Sequence, residues 1–219
     1  MSDAVAGQEP DAATAQEPDA AAAQESLEEF LAGEITRMYD EVAERPEGEF
    51  HFFHGRAAAE LFEYDPGALD RAPDGSVASF AGVGNPHLRA GLQPGETVLD
   101  LGSGAGLDAL IAAEKVGPEG RVIGVDLNPT MCRRAKANAA ATGAAMECHE
   151  GRMEDVPLPD DSVDVILSNG VINLSFRKRR VMEEMFRVLR PGGRISITDI
   201  VSAKQLSQSI VNDPKMWAS

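Results

Sequence analysis

The stretch VLDLGSGAGLD, residues 98–108, decides the fold, because an apolar run leads directly into a loop with glycines at alternate positions. Glycine lets the backbone turn tightly and approach a ligand without a Cβ in the way. The start of a following helix also offers free N–H groups to that ligand. The stretch therefore predicts a strand over 97–102, a helix over 107–116 and a ligand-binding loop between them.

The same alternation of strand and helix continues along the chain. Further strands are predicted over 121–126, 145–151, 162–170 and 194–200, and further helices over 129–142 and 177–189. The PGG at 191–193 is interpreted as a turn before the last strand. Apolar strands separated by helices are typical of a parallel sheet covered on both faces. We expect an α/β fold built on a doubly wound parallel sheet.

The distribution of charge limits the classes of partner. The chain has 219 residues and a net charge of −16, and residues 1–29 hold eight acidic side chains and no Lys or Arg. The rest carries 28 acidic against 20 basic residues, a net charge of −8. An acidic body has no general attraction for nucleic acid or an anionic membrane, and we expect neither as a partner.

The cysteines and histidines do not form a recognisable metal site. Cys132 and Cys148 stand in unrelated settings, which indicates a reduced, cytoplasmic protein without a disulfide framework. His51 and His54 lie three apart in HFFH without companion ligands, so packing or capping is favoured over metal binding. No secretory leader and no apolar run of about 18 residues stands in the sequence.

Composition divides the chain into three expected segments: a disordered acidic tail over 1–25, a helical cap or lid over 26–96 and a ligand-binding domain over 97–219. The tail repeats QEPDAA, which is too poor in large apolar residues to offset the entropy cost of ordering. Ser26 and Glu29 have the spacing of a capping box, so the first helix is predicted to begin there.

The glycine loop departs from the dinucleotide-binding pattern. That pattern would place its third glycine at position 107, but the chain has Leu107 there and Gly106 before it. Asp100 also stands two residues ahead of Gly102. This form suits a ligand with an amino-acid end and no pyrophosphate. Asp126, at the end of the second predicted strand, is well placed for two hydrogen bonds to ribose hydroxyls.

The segments VLDLGSGAG, VIGVD, SNGVINL and FRVLRPGGRI resemble the class I S-adenosylmethionine-dependent methyltransferases. More narrowly, GVGNP and SNGVINL resemble the arsenite methyltransferase branch, and the likeness covers roughly residues 50–218. The resemblance implies a Rossmann-like fold and S-adenosylmethionine as cofactor. It implies these cofactor-binding residues: Asp100, Gly102, Ser103, Gly104, Gly106, Asp126, Leu127, Met153, Glu154 and Asn169.

The resemblance also implies a role for parts of this set. The glycine loop would line the methionine end of the cofactor, and Asp126 would hold the ribose. Leu127 and Met131 would flank the adenine, with Met153 and Glu154 near its far edge. Asn169 would sit on the loop that faces the sulfonium, and a catalytic base stays open among four candidates: Tyr39, His51, His54 and Asn169.

The chain differs from the arsenite branch where that branch has cysteines. The family pattern has Cys within G-C-G-N-P and S-N-C-V-I-N-L, and this chain has Val83 and Gly170 at those positions. A third family cysteine follows a W-A stretch, and this sequence stops at Ser219. As(III) is thiophilic and needs such ligands. We therefore expect a small-molecule methyl acceptor other than arsenite.

Two alternatives stay open: arsenite methylation through Cys132 or Cys148, and a truncated, non-catalytic domain that binds the cofactor or a partner. A full class I sheet has seven strands, whereas five are predicted here and 19 residues follow Ile200. We therefore expect a chain that is truncated at its C-terminus. The acceptor and the oligomeric state are not determined by the sequence.

Overall fold

A parallel sheet of five strands forms the centre of the computed structural model, which describes residues 20–48 and 50–204. The strands are β1 Thr97–Leu101, β2 Arg121–Asp126, β3 Met146–Glu150, β4 Val163–Asn169 and β5 Leu189–Thr198. Their order across the sheet is β3-β2-β1-β4-β5, and every neighbouring pair is parallel. The predicted doubly wound fold class is confirmed.

Eight helices accompany the sheet in the described residues: α1 Ala20–Glu44, α2 Gly55–Leu61, α3 Pro66–Arg71, α4 Asp74–Ala78, α5 His87–Ala90, α6 Leu107–Val116, α7 Pro129–Thr142 and α8 Lys178–Val188. A 3₁₀ turn over Ile172–Leu174 follows β4. None of these helices is long and apolar enough to cross a lipid bilayer.

Both faces of the sheet are covered, which explains why its strands read as continuous apolar runs. On one face Val98 packs with Ala109 and Ala112 of α6. On the other, Leu99 packs with Val181 and Met185 of α8. Side chains on a strand alternate between the faces, so β1 contributes to both halves of the core.

The segment before β1 packs against α6, on one side of the sheet. Tyr64 and Phe80 join Leu107 and Ile111 of α6 in one buried cluster. Farther along, α1 lies against α7. The cap therefore reaches the ends of the strands where the glycine loop begins.

The first helix begins earlier than the capping box predicts. It starts at Ala20, so Ser26 lies inside it and does not act as its N-cap. The upstream run AAAA consists of alanine, the residue type with the highest intrinsic helix propensity. This run favours a helix that begins ahead of Ser26. Residues 20–25 of the predicted tail are therefore helical, and residues 1–19 lie outside the described part of the chain.

The predicted turn at PGG is wrong, because these residues belong to β5. Val163 already pairs with Leu189, and Val165 pairs with Arg194, so the intervening residues form a bulge in the ladder. Gly192 adopts a φ of +83°, which a bulge of this kind requires. The strand therefore begins five residues before the predicted start.

Candidate active site

A cavity opens at the carboxyl ends of the central strands. It lies beside the loops that follow β1, β2 and β4, and its volume is about 160 Å³. In a doubly wound sheet this is the position where the strand order reverses and ligands bind. The sequence predicted the ligand at this edge.

Most of the predicted binding residues line this cavity. They are Gly102, Ser103, Gly104, Asp126, Leu127, Met153, Glu154 and Asn169, joined by Met131. Glu154 is held in place by the Ser175 hydroxyl, which donates to its Oε1 at 2.5 Å. Asp100 and Gly106 do not line the cavity.

Gly102 shows why the loop needs glycine. Its φ is +78°, and a Cβ built on it would lie 2.4 Å from Cγ2 of Val171. No other residue fits this close approach between the loops after β1 and β4. Gly106 serves packing instead, since a Cβ there would come within 3.3 Å of Ala135 on α7.

The carboxylate of Asp126 is fixed by two backbone donors. Gly104 N–H donates to Oδ2 and Asn128 N–H donates to Oδ1, each at 2.8 Å. Burial raises the pKa of Asp126, and the two N–H groups oppose that rise. Each oxygen of an ionised carboxylate accepts more than one hydrogen bond, so this group can still accept from a ligand.

Asn169 ties the end of β4 to the GVGNP turn. Its Oδ1 accepts from the N–H groups of Val83 at 2.9 Å and Gly84 at 3.2 Å, and from the Thr198 hydroxyl at 2.8 Å. Its Nδ2 donates to the carbonyl of Gly84 at 2.9 Å. The carboxamide borders the cavity but is occupied by these contacts, so its first role is to hold the turn.

A buried polar cluster lies behind the turn. Tyr64 donates to Oδ1 of Asp108 at 2.5 Å, and Asn169 Nδ2 donates to Oδ2 of Asp108 at 3.1 Å. His87 Nε2 is 3.1 Å from the same Oδ1 but is not aligned for a hydrogen bond. Burial, and then the charge of Asp108, raise the pKa of Tyr64. Its phenol is therefore a donor at neutral pH.

Asp100 belongs to the core behind the loop. It is 2% exposed, and the Oδ2 atom has no hydrogen-bond partner among the described residues. Burial, followed by the neighbouring charge of Asp108, raises the pKa of Asp100 well above its ordinary value. The strand alternation puts Asp100 on the same face as Val98, towards α6, which explains why it misses the cavity.

Helix α1 forms a wall of the cavity, of which the sequence indicates only Tyr39 as a candidate site residue. Its contributing side chains recur at helical spacing and are Ala32, Ile35, Thr36 and Tyr39. Burial, followed by the charges of Asp126 and Asp199, raises the pKa of Tyr39 to about 12. Tyr39 is therefore protonated at neutral pH and is unsuited to act as a base.

The histidine candidates lie elsewhere. His51 is exposed, and the His54 ring hydrogen-bonds through Nε2 to the carbonyl of Pro46 at 2.9 Å. His54 also packs edge-on against Phe50, with ring centroids 4.9 Å apart. Neither histidine lines the cavity. His54 thus serves the packing of the segment that follows α1.

The two cysteines are buried beneath the cavity rather than in its wall. The Cys132 thiol donates to the carbonyl oxygen of Asp126 at 3.5 Å, and Cys148 lies on β3. Val83 and Gly170 adjoin one another, because a Cβ on Gly170 would lie 3.1 Å from Cγ1 of Val83. An apolar side chain and a glycine thus meet where the arsenite branch is expected to have two thiols.

Known proteins are similar to this chain in sequence. An arsenite methyltransferase from Halobacterium salinarum is 43% identical over 159 residues, which are 72% of this chain and 40% of that protein. A ubiquinone/menaquinone biosynthesis C-methyltransferase from Vibrio campbellii is 34% identical over 112 residues, 50% of this chain and 43% of that protein. The matched region thus spans less than half the length of each of these relatives.

A solved structure extends the likeness to three dimensions. The arsenic(III) S-adenosylmethionine methyltransferase from Chlamydomonas reinhardtii superposes with a TM-score of 0.57 at 36% identity, over 73% of this chain and 52% of that one. The family profile described as "Methyltransferase domain" matches residues 92–219, which contain the glycine loop, Asp126 and Asn169. The chain belongs to this family of methyltransferase domains.

Proposed function

We propose that this chain binds S-adenosylmethionine in the cavity and transfers its methyl group to a small-molecule acceptor. The observation that carries the proposal is the carboxylate of Asp126, held between the N–H groups of Gly104 and Asn128 at the end of β2. A fixed acid at this position suits the two hydroxyls of a ribose. The glycine cradle at Gly102 leaves room for the methionine end.

The residues of the chain would contribute mainly binding and orientation. When bound, the cofactor supplies a methyl group that its sulfonium already activates. Alignment of the two reactants and exclusion of water then provide much of the rate. Asn169 would fix the GVGNP turn beside the reacting centre, and α1 would cover it.

The acceptor is proposed to be a small molecule whose attacking atom needs no base from the cavity wall. Tyr39 is held protonated, and the His51 and His54 rings lie away from the cavity. A soft or already anionic nucleophile fits these conditions. The acidic body disfavours nucleic acid and anionic membranes as partners. The two cysteines, which pack in one buried cluster and form no disulfide, support a cytoplasmic location.

Arsenite is the second candidate acceptor, because relatives at 43% and 36% identity are named for arsenic methylation. Against it stand Val83 and Gly170 at the expected thiol positions. Transfer of a tritiated methyl group to small thiols, amines and arsenite tests the proposal. We expect transfer by the wild-type chain and its loss in Asp126→Asn, with Glu119→Gln, an exposed carboxylate on the turn after α6, as the unaffected control. Binding without transfer to any acceptor would favour a non-catalytic domain.

A further inference from the structure

Asn128 makes hydrogen bonds in three directions at the edge of the cavity. It is 4% exposed, and its Oδ1 caps α7 by accepting from the N–H groups of Thr130 at 2.8 Å and Met131 at 3.0 Å. Its own N–H donates to Asp126. Its Nδ2 donates to the carbonyl of Thr36 at 3.0 Å and to Oδ1 of Asp40 at 3.1 Å.

The last pair of bonds joins α7 to α1, the helix that walls the cavity. In the described part of the chain, the other contacts of α1 in this region are mainly apolar: Val42 and Ala43 pack with Ala105 and Met131. The Ser79 hydroxyl adds one long hydrogen bond, at 3.5 Å, to the carbonyl of Val42. Apolar contacts are non-directional and tolerate sliding, whereas two hydrogen bonds from one buried amide fix a position. The two hydrogen bonds from Asn128 therefore fix the position of α1 over the cavity.

We propose that Asn128 is a positioning residue that holds α1 closed over the bound cofactor and so sets how long the cofactor stays. The inference rests on the proposed function. A ligand that hydrogen-bonds to Asp126 lies beside the same loop that anchors α1. Its departure is therefore slowed for as long as the bonds to Thr36 and Asp40 persist.

A serine at position 128 separates this role from helix capping. Serine is a good N-cap and keeps the backbone N–H that donates to Asp126. It is too short to reach Thr36 or Asp40. Loss of two hydrogen bonds predicts that release of S-adenosylmethionine from Asn128→Ser is about ten- to thirty-fold faster. The association rate should change little, whereas the thermal midpoint of unfolding should fall by a few degrees, because two acceptors on α1 lose a buried donor.

A matched control and a rescue sharpen the test. Asp65 caps α3 by the same geometry, away from the cavity, so Asp65→Ser should leave cofactor release unchanged. Asn128→Asp puts a carboxylate beside Asp40 and should speed release. The double variant Asp40→Asn, Asn128→Asp exchanges donor and acceptor, so it should restore much of the slow release.

Stopped-flow release of S-adenosylmethionine from the full chain separates the possible outcomes. Faster release in Asn128→Ser and recovery in the exchanged pair support the proposal. Wild-type release rates in Asn128→Ser, with binding intact, overturn the role of Asn128 and leave the cofactor proposal standing. Absence of binding by folded wild-type protein overturns both.

Discussion

Asn169 Nδ2 lies 3.1 Å from the phenol oxygen of Tyr64, although 105 residues separate the two in the chain. Tyr64 belongs to the cap and Asn169 ends β4, and both hydrogen-bond to Asp108 at the start of α6. The three side chains therefore join the cap to the strand ends that border the cavity. Changes in this triangle should affect both stability and the site.

Tyr64→Phe removes the donor to Oδ1 of Asp108 and leaves a buried carboxylate oxygen with one partner fewer. Because an unsatisfied buried acceptor costs about 1–3 kcal/mol, we expect the free energy of unfolding to fall by that amount. Urea denaturation measures it. Tyr39→Phe is the control, since no hydrogen bond of its hydroxyl is observed within the described residues. An equal loss in both variants would contradict the importance of the triangle.

Asp100→Asn tests the buried acid behind the loop through the pH dependence of stability. Burial and the charge of Asp108 raise the pKa of Asp100 in the folded state. The contribution of Asp100 to the free energy of unfolding is therefore complete below its ordinary pKa, near 3.8, and is lost as the pH rises through the raised pKa. Asparagine imitates the protonated form at every pH. Urea denaturation from pH 5 to 9 should therefore show that the free energy of unfolding of the variant increases relative to that of the wild type as the pH rises. A constant difference would refute this account.

Gly102→Ala tests the close approach of the two loops. The new Cβ would lie 2.4 Å from Val171, so the loop must shift and cofactor binding should be lost. Gly143→Ala is the matched control, because Gly143 also has a positive φ, +66°, but open space around it. The control should lose about 1–2 kcal/mol of stability through backbone strain alone and bind normally. Titration calorimetry on both variants distinguishes strain from the clash.

Cys132→Ala with Cys148→Ala tests the arsenite alternative. Both thiols are buried below the cavity, so we expect arsenite to bind the wild type no more tightly than the double variant. Calorimetric titration with arsenite measures this. Tight binding that disappears in the double variant would mean that the buried pair replaces the thiols of the arsenite branch.

Local signals were sufficient to predict the order of the strands and helices in the sheet domain, although β5 begins earlier than predicted. The bounds of β2, α6 and α7 agree with the prediction, because apolar periodicity and glycine at the helix ends mark them in the sequence. The orientation of Asp100 could also be predicted from the sequence, because side chains alternate along β1 and Asp100 lies on the same face of the sheet as Val98. The resemblance led instead to its assignment as a cofactor contact.

The parts of the site that were missed depend on distant contacts. Asn128 donates to residues 88 and 92 positions earlier, and no local pattern pairs an amide in a helix cap with α1. Tyr64 and Asp108 meet only after the cap packs on α6. Sequence periodicity describes single elements, so it identifies the loops of the cavity but not the wall that α1 adds.

The central claim is that the cavity at the strand ends binds S-adenosylmethionine through Asp126. Calorimetric titration of the 219-residue chain, with Asp126→Ala and the exposed control Glu119→Ala alongside, tests it most directly. We predict micromolar binding by the wild type and Glu119→Ala and none by Asp126→Ala. Equal binding by all three, or no binding by a folded wild-type sample, would contradict the claim.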